Sequence, residues 1–375
     1  MRVLIVHPGV FVYGGAELLI VKLANYLTKN GVRNSFLTTA ILPAMEKELK
    51  GTDVIVCTRR APRLFPVLQE ARSLYKGVKD VFSNFDVINV HNFPAELSVF
   101  GVRKPVIWMC NEPPEISLGA EAPWFSISNL KRKALLTLDA FLVKRYVKYA
   151  IVSDTYNAQR FSGLYRIQPK VINYGVDFEF FKNGNKEKIL KKYDLAPNDF
   201  VALQVGMLTP YKNQLESVKA VETVKGRIPN IKLVLAGFGQ NEYSRMLEQY
   251  VKDKGLEKYV FFIGHVDRAE VRDLFAACNV VLHPIKSQGG WLAPFEALCA
   301  KKIIVVSPEL TCANIIQNED IGTVTTDLAR TVEEIYFAPK HFELKAEKGC
   351  NWVKDNLNWD KFCSGMLETF KEALQ

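Results

Sequence analysis

The segment Ser287-Gln-Gly-Gly-Trp-Leu-Ala-Pro-Phe-Glu-Ala297 lies between two short apolar runs. The runs, 279–284 and 302–307, are typical of buried strands, and 294–300 is predicted as the helix between them. A glycine pair therefore stands where a strand passes into a helix, so backbone N–H groups and the positive helix end can face an anion. Glu296, early in this helix, can accept hydrogen bonds from sugar hydroxyls. Amides for a phosphate and a carboxylate for a sugar are what a nucleotide-sugar ligand requires.

Apolar runs alternate with helical patterns along the whole chain. Strands are predicted at 3–6, 34–39, 54–57, 87–90, 106–109, 149–153 and 170–173 and, after a polar stretch at 183–188, at 201–205, 232–236, 260–263, 280–282, 303–306 and 322–324. Helices are predicted over 17–29, 213–226, 241–254, 267–277, 333–338 and 346–375. This alternation predicts an α/β protein with two doubly wound parallel sheets. Such sheets bind ligands beyond the carboxyl ends of their strands, so the site is expected in a cleft between the domains.

Composition sets the class of protein. At 375 residues, with 48% hydrophobic and 24% charged residues, the chain fits a globular protein of about two domains. Its apolar runs are too short to span a bilayer. The seven cysteines show no Cys-x-x-Cys spacing, which favours reduced thiols over zinc ligands or disulfides. A strand begins directly at the N-terminus, which argues against a signal peptide. The sequence therefore predicts a cytoplasmic protein.

The positive charge lies in the first half of the chain. Residues 1–180 carry 23 Lys+Arg and 15 Asp+Glu, whereas residues 181–375 carry 26 and 25. The excess is concentrated at 59–79 and 131–148, where apolar residues alternate with the basic ones. Such helices can lie on the anionic inner face of a membrane or bind an anionic acceptor, or they can simply present a solvated basic face. No nucleic-acid-binding module is recognisable, so nucleic acid is not an expected partner.

Six short motifs follow one another in a fixed order. They are Gly14-Gly-Ala-Glu17, Val171-Ile-Asn-Tyr-Gly-Val-Asp177, Val205-Gly-Met-Leu-Thr-Pro-Tyr-Lys-Asn213, Leu235-Ala-Gly-Phe-Gly239, Phe262-Ile-Gly264 and the segment from Gln288 to Glu296. Their order resembles that of the retaining glycosyltransferases of family 4, over about residues 1–365. The resemblance implies the GT-B fold, which consists of two Rossmann-like domains facing a central cleft.

The resemblance also implies a domain plan and a reaction. Residues 1–180 would form the acceptor domain, 181–355 the donor domain, and 356–375 a helix that crosses back to the first domain. The co-substrate would be a UDP- or GDP-linked sugar, and the acceptor a glycan or a lipid-linked glycan. The enzyme would be a hexosyltransferase.

The donor site implied by the resemblance departs from the family pattern at two residues. Lys212 matches a lysine that neutralises the donor diphosphate, but Met207 stands where the family has arginine. Glu296 matches a carboxylate that binds ribose, whereas Gln288 stands where the family has a glutamate that contacts the transferred sugar. The remaining donor contacts would come from backbone near Gly15, Gly290, Trp291 and Leu292. Lys212 as a surface lysine and Glu296 as a helix-end carboxylate remain the alternatives.

On the acceptor side, the segment Cys110-Asn-Glu-Pro-Pro114 resembles the family's His-x-Pro-Pro loop, with Asn111 in place of histidine. Asn111, together with Gln288 and Lys212, is therefore a candidate catalytic residue. Gly14 and His91 are further candidates for acceptor binding. The glycine pair Gly14-Gly15 is equally compatible with an ordinary strand–helix turn, and His91 with a strand-end histidine bonded to backbone. His7 and His283 are interpreted as structural.

Two missing motifs bear on the chemistry. The chain contains no Asp-x-Asp, the pair with which metal-dependent glycosyltransferases hold a divalent ion, so no metal is expected. It also lacks Gly-x-Gly-x-x-Gly, which argues against a nicotinamide-dependent oxidoreductase. The changes at Met207, Gln288 and Asn111 keep a second alternative open, a sugar-nucleotide-binding or scaffold protein with impaired catalysis.

Overall fold

The computed structural model describes residues 1–11, 14–57, 66–111, 114, 127–286 and 292–375. The chain divides into two compact units. The N-terminal unit comprises Met1–Gly175 and Trp359–Gln375, and the C-terminal unit comprises Val176–Asn358. The chain thus leaves the N-terminal unit once and returns to it for its last helix.

Among the described residues of the N-terminal unit, seven parallel strands form one sheet in the order β3-β2-β1-β4-β5-β6-β7. Their bounds are β1 Arg2–Val6, β2 Arg33–Thr38, β3 Asp53–Val56, β4 Val87–His91, β5 Val106–Met109, β6 Val147–Val152 and β7 Lys170–Val171. In β1, Leu4 pairs with Ser35 of β2 on one side and with Ile88 of β4 on the other. The direction of winding therefore reverses between β1 and β4, which is the switch point of this sheet.

Helices cover both faces of this sheet. In the first segment of this unit, Met1–Gly175, the described α-helices are α1 Gly15–Lys29, α2 Pro43–Glu48, α3 Pro66–Val81, α4 Ile127–Tyr146 and α5 Thr155–Tyr165. In β1, Val3 and Ile5 enter one core with residues of α1 and of the chain's last helix, whereas Leu4 and Val6 enter another with residues of α3 and α5. Burial on both faces explains why the strands read as continuous apolar runs.

In the described part of the C-terminal unit, six parallel strands form a second sheet in the order β10-β9-β8-β11-β12-β13. Their bounds are β8 Phe200–Val205, β9 Ile231–Ala236, β10 Val260–Gly264, β11 Val280–His283, β12 Ile303–Val306 and β13 Thr323–Val324. Here the switch point lies between β8 and β11. The two helix-covered parallel sheets confirm the predicted α/β fold class.

The helices of the C-terminal unit are α6 Phe178–Lys182, α7 Lys186–Lys192, α8 Gln214–Val224, α9 Glu242–Asp253, α10 Arg268–Ala277, α11 Leu292–Cys299, α12 Ala313–Asn318, α13 Leu328–Phe337 and α14 Lys340–Asn356. The polar stretch 183–188 contains the start of α7. The Asn185 side chain caps α7 by accepting a hydrogen bond from the Lys188 N–H at 3.1 Å. Across the described ranges, no helix combines the length and the apolar character needed to cross a membrane.

The C-terminal helical segment is interrupted. The sequence predicts helical structure over 346–375, with a crossing helix over 356–375, and the structure has α14 and then α15, Trp359–Leu374. Leu357 leaves the helical conformation, with φ −107° and ψ 71°, and its carbonyl accepts from the Val176 N–H at 3.0 Å. Helix α15 lies on the N-terminal sheet, where Phe362, Met366 and Phe370 are fully buried. Their spacing of four residues puts all three on one helix face.

Candidate functional site

The predicted donor residues Lys212 and Glu296 follow two neighbouring strands of the C-terminal sheet. Lys212 lies in the loop after β8, and Glu296 lies in α11, the first helix after β11. The two strands pair directly, with Ala202 opposite Val280. Both residues therefore follow the strands that flank the switch point, which is where open α/β sheets bind their ligands.

Two glycines bring the ends of β8 and β9 into close contact. A Cβ on Gly237 would lie 1.9 Å from the carbonyl oxygen of Gly206, so no side chain fits at Gly237. Gly206 itself has a φ of +146°, which other residues rarely adopt. The Lys212 side chain crosses the open side of Gly206, with Cδ and Cε 3.7 Å from the position of a Cβ. The half-buried Lys212 is thus held over exposed backbone.

Side-chain amides fix the loop that carries Lys212. Three of them donate to its backbone carbonyls: Gln204 to Lys212 at 2.8 Å, Gln214 to Met207 at 2.9 Å and Asn241 to Leu208 at 2.8 Å. All three supports are neutral, so they orient the loop without placing a negative charge beside the lysine. The loop is suited to an anionic ligand.

Met207 occupies the position where the family pattern has arginine, and 49% of its surface is exposed. It adds an apolar side chain, and no charge, to the loop. The candidates Gln288, Gly290 and Trp291 fall within 287–291 and lie outside the described residues. Leu292 is the first residue of α11 and is half-buried.

Glu296 is half-buried in α11, and two charged residues act on it. Burial raises the pKa of its carboxyl group to about 7; the positive charge of Arg268 opposes this rise and the negative charge of Asp177 adds to it. Arg268 donates from Nη2 to Asp177 Oδ2 at 2.5 Å. Its guanidinium also lies 4.9 Å from the ring centroid of Phe180. Glu296 therefore titrates near neutral pH beside a fixed ion pair.

Sequence reasoning missed the roles of Arg268 and Asp177. Asp177 ends the motif Val171–Asp177, but the motif alone does not indicate its partner. Arg268 begins α10, directly after the capping residue Asp267. The one signal in the sequence was its position after a strand of the donor sheet, which many surface arginines share.

In the N-terminal unit, Gly14 and Gly15 stand at the start of α1, and both are exposed. The Gly14 N–H donates to Glu17 Oε2 at 2.9 Å. This contact satisfies one of the unpaired N–H groups of the helix end and puts a carboxylate there. Gly14 is therefore already hydrogen-bonded within α1, and Glu17 disfavours an anion at this end of the helix.

His91 ends β4 and has no exposed surface. Its Nε2 lies 2.7 Å from Asn89 Oδ1, so the ring bonds to a side chain and not to backbone. Burial lowers the pKa of His91, and the nearby His7 adds to this effect, so that the pKa is about 3. In this structure the imidazole is neutral and cannot contact an acceptor directly.

Asn111 follows β5 and is hydrogen-bonded at both ends of its amide. Its Oδ1 accepts from the Tyr174 hydroxyl at 2.6 Å, and its Nδ2 donates to Asn92 Oδ1 at 2.6 Å. Asn92 in turn contacts His7 Nε2 through its Nδ2, at 3.0 Å. Of these four residues, only Asn111 is a site candidate from its motif; the structure joins it to His7, Asn92 and Tyr174. His7 and Asn92 follow β1 and β4, at the switch point of the N-terminal sheet.

Family models match both units of the chain. Residues 13–180 match the model described as Glycosyltransferase Family 4, and residues 185–335 match the model described as Glycosyl transferases group 1. Together they cover most of the sequence. The chain belongs to glycosyltransferase family 4. The resemblance stated from the motifs is thereby confirmed, and the protein is a glycosyltransferase.

Individual relatives of this family-4 chain are distant in sequence. It is 22% identical over 340 residues to a trehalose synthase of Pyrococcus horikoshii, covering 87% of this chain and 76% of that protein. It is also 22% identical to a D-inositol 3-phosphate glycosyltransferase of Rhodococcus erythropolis, over 60% of this chain and 53% of that protein.

A solved structure agrees with the fold along the full length. The crystal structure of Anabaena HepE in complex with UDP-glucose superposes with a TM-score of 0.80 and 22% identity, covering 99% of this chain and 100% of that one. At this identity the likeness concerns the fold, and it confirms the predicted GT-B architecture.

Proposed function

We propose that this family-4 protein is a retaining hexosyltransferase that takes its sugar from a nucleoside diphosphate without a metal ion. The observation that carries the proposal is the position of Lys212 and Glu296 after the two strands at the switch point of the C-terminal sheet. One offers a cation and the other a carboxyl group at the edge where α/β sheets bind nucleotides.

Lys212 would bind the donor diphosphate. Its loop is held by neutral amides, and its aliphatic stem lies over Gly206, so the backbone that carries the lysine is fixed. A fixed cation stabilises the charge that develops on the departing diphosphate, which is the role that a metal ion has in other glycosyltransferases. The absence of an Asp-x-Asp sequence agrees with this arrangement.

Glu296 would bind the ribose. Its carboxylate accepts hydrogen bonds from hydroxyls, and a desolvated carboxylate forms stronger ones than an exposed one. Gly290, Trp291 and Leu292 would add backbone N–H groups for the phosphate and the sugar. UDP or GDP is the proposed carrier; the solved relative with UDP-glucose supports a UDP-sugar.

The reaction would proceed on one face of the sugar. The acceptor oxygen attacks the anomeric carbon on the side from which the nucleotide leaves, the glycosidic C–O bond to phosphate breaks, and a β-phosphate oxygen takes the acceptor proton. No protein nucleophile is needed. Gln288 would orient the sugar, and Asn111 would orient the acceptor.

The acceptor is proposed to be a glycan, with a lipid-linked glycan favoured by one face of α4. Leu130, Leu138 and Phe141 are 69%, 45% and 57% exposed and lie within about 80° of one another around the helix. We define the basic face as these three residues with the exposed Lys131, Lys133, Lys144 and Arg145. Asp139, the acidic residue of α4, is buried and accepts from the Tyr165 hydroxyl at 2.5 Å.

The basic face combines exposed apolar side chains with lysine and arginine and contains no acidic residue. Such a surface fits the inner, anionic face of a cell membrane. Peripheral binding there, on the cytoplasmic side, would bring the protein to a lipid-linked acceptor. The test is sedimentation with vesicles, with and without anionic lipid. Phe141→Glu should weaken binding to the anionic vesicles at least tenfold. Leu344→Glu, at a residue 59% exposed on α14, is the matched control and should not.

The donor site is tested by nucleotide binding in EDTA. Titration calorimetry with UDP, GDP, ADP and their sugar conjugates should find one selective diphosphate. Lys212→Met, which keeps the aliphatic stem, should weaken its binding by about 1.5–3 kcal/mol, the contribution of a charge-assisted hydrogen bond. Met207→Arg should strengthen it by a similar amount.

Three results would change the proposal. Binding that requires a divalent ion would remove metal independence. Binding without transfer to any acceptor would favour the scaffold protein. A product with inverted anomeric configuration would contradict the one-face reaction.

A further inference from the structure

A chain of hydrogen bonds crosses the carboxyl edge of the N-terminal sheet. The Tyr174 hydroxyl donates to Asn111 Oδ1 at 2.6 Å, and Asn111 Nδ2 donates to Asn92 Oδ1 at 2.6 Å. Asn92 Nδ2 lies 3.0 Å from His7 Nε2, and His7 Nδ1 lies 2.7 Å from the carbonyl oxygen of Pro8. The linked side chains are separated by 63, 19 and 85 residues in the sequence, so the contacts are made by the fold.

The direction of this chain follows from its last member. A carbonyl oxygen only accepts, so His7 Nδ1 must carry the hydrogen that bonds to Pro8. In a neutral imidazole Nε2 then has a lone pair, and Asn92 must present its NH2 group to it. Asn92 consequently presents its oxygen to Asn111, which must present its own NH2 group there and its oxygen to Tyr174. Each amide orientation is fixed by the next, which removes the usual ambiguity of asparagine side chains.

We infer that this chain of hydrogen bonds fixes which polar atoms Asn111 offers to an acceptor hydroxyl, with Tyr174 and His7 as positioning residues. The inference rests on the proposed function, which puts the acceptor beside Asn111. Among the described residues, the half-buried Asn111 makes these two side-chain bonds, which leave one N–H and one oxygen lone pair of its amide. A hydroxyl group both donates and accepts, so a fixed amide gives two positions of known polarity for it.

Asn111, which stands in place of the family's histidine, depends on Tyr174 for this orientation. The two residues bond directly to each other. Tyr174 is further held by an edge-to-face contact with Phe362 of α15, at 6.3 Å between ring centroids.

Protonation of His7 would reverse the direction of donation along this chain of hydrogen bonds. His7 is 3% exposed, and the titratable groups that act on it are Glu17 of α1, Glu70 of α3 and His91 of β4. Burial lowers the pKa of His7 below its usual value of 6.5 despite the two carboxylates. A protonated His7 would direct an N–H at the Asn92 NH2 group, and the two amides would have to turn over. Asn111 would then present its polar atoms in exchanged positions.

The first test examines the chain of hydrogen bonds directly and needs no measurement of transferase activity. The protein has five histidines, so selective ¹⁵N labelling and long-range ¹H–¹⁵N NMR can identify the tautomer of His7. We expect hydrogen on Nδ1 and a lone pair on Nε2 at pH 7.5, and a change in the Nε2 resonance in Asn92→Leu. Hydrogen on Nε2 would overturn the inference, because the chain would then run in the opposite direction.

The second test uses transfer kinetics. Tyr174→Phe should lower kcat/KM for the acceptor about tenfold and leave the dissociation constant of the nucleotide unchanged. Tyr250→Phe is the matched control: it removes a tyrosine hydroxyl that donates at 2.6 Å to Glu222, in the C-terminal unit. An unchanged acceptor kcat/KM in Tyr174→Phe would overturn the inference.

The third test follows pH. Wild-type kcat/KM for the acceptor should fall in acid, at a pH below the ordinary histidine pKa of 6.5, as His7 becomes protonated. His7→Gln keeps an acceptor oxygen for Asn92 but does not titrate, so its profile should lose that acid limb. An acid limb that persists in His7→Gln, or nucleotide binding by the wild type without transfer to any hydroxyl acceptor, would overturn the inference and leave the donor site intact. Loss of nucleotide binding in the wild type would instead refute the proposed function.

Discussion

Replacing Glu296 by glutamine should stabilise the C-terminal unit at alkaline pH. Burial raises the pKa of Glu296 from 4.5 to about 7. A tenfold change in the acid dissociation constant corresponds to about 1.4 kcal/mol between the two protonation states, so ionising this residue costs the folded chain about 3 kcal/mol. Glutamine has nearly the same shape and never ionises, and it removes this cost.

The sign of the pH dependence follows from linkage. The folded chain holds the Glu296 proton more tightly than the unfolded chain, so the destabilisation is absent below pH 4.5, grows as the pH rises and is complete above about pH 7. Glu296→Gln should therefore gain about 3 kcal/mol at pH 8 and less than about 1 kcal/mol at pH 5. Because the carboxylate is proposed to bind ribose, the same variant should lose donor affinity.

Hydrogen exchange measures the change in the stability of the C-terminal unit. The amides of β12, Ile303–Val306, lie in a buried strand beside β11, and their exchange reports opening of this sheet. Glu248→Gln, at an exposed residue of α9, is the matched control and should leave their protection unchanged at both pH values. An equal effect of Glu296→Gln at pH 5 and pH 8, or destabilisation at pH 8, would refute the argument.

Three further predictions concern named side chains. Arg268→Met should raise, and Asp177→Asn should lower, the pH midpoint of nucleotide-sugar binding, since the two charges act on Glu296 in opposite directions; midpoints that move in the same direction would contradict this. Phe370→Ala should destabilise the N-terminal unit by about 3–5 kcal/mol, measured by exchange of the β1 amides, because the ring is fully buried. Cys278 should resist Ellman's reagent at pH 8 until urea is added, since burial raises the pKa of its thiol to about 12; rapid reaction without urea would be unexpected.

Local patterns were sufficient to predict the elements of the fold. The strand predicted at 201–205 is Phe200–Val205, and the helix predicted near 267–277 is Arg268–Ala277. Both predictions rest on the pattern of residues that are close together in the sequence. The exact residue of the break between α14 and α15 was not predicted; there Leu357 accepts a hydrogen bond from Val176, far away in the sequence. The family motifs supplied the fold name, which periodicity alone does not give.

The candidate site was predictable only where its residues belong to continuous motifs. Lys212 and Glu296 were found in this way. The partners that tune them were not, because Arg268 meets Asp177 across 91 residues and Tyr174 meets Asn111 across 63. Such contacts arise from the order of strands in each sheet, and a single sequence does not encode that order in any local pattern.

Helix α15 determines when the N-terminal unit can mature on the ribosome. Phe362, Met366 and Phe370 complete one of its cores, yet they are synthesised after the whole of the C-terminal unit. The C-terminal unit is one continuous segment, Val176–Asn358, and can close its core without later residues. Chains stalled before Trp359 should therefore leave part of one apolar sheet face uncovered, beside α1, and should be bound by chaperones. The half of the protein that is made first is thus the half that is finished last.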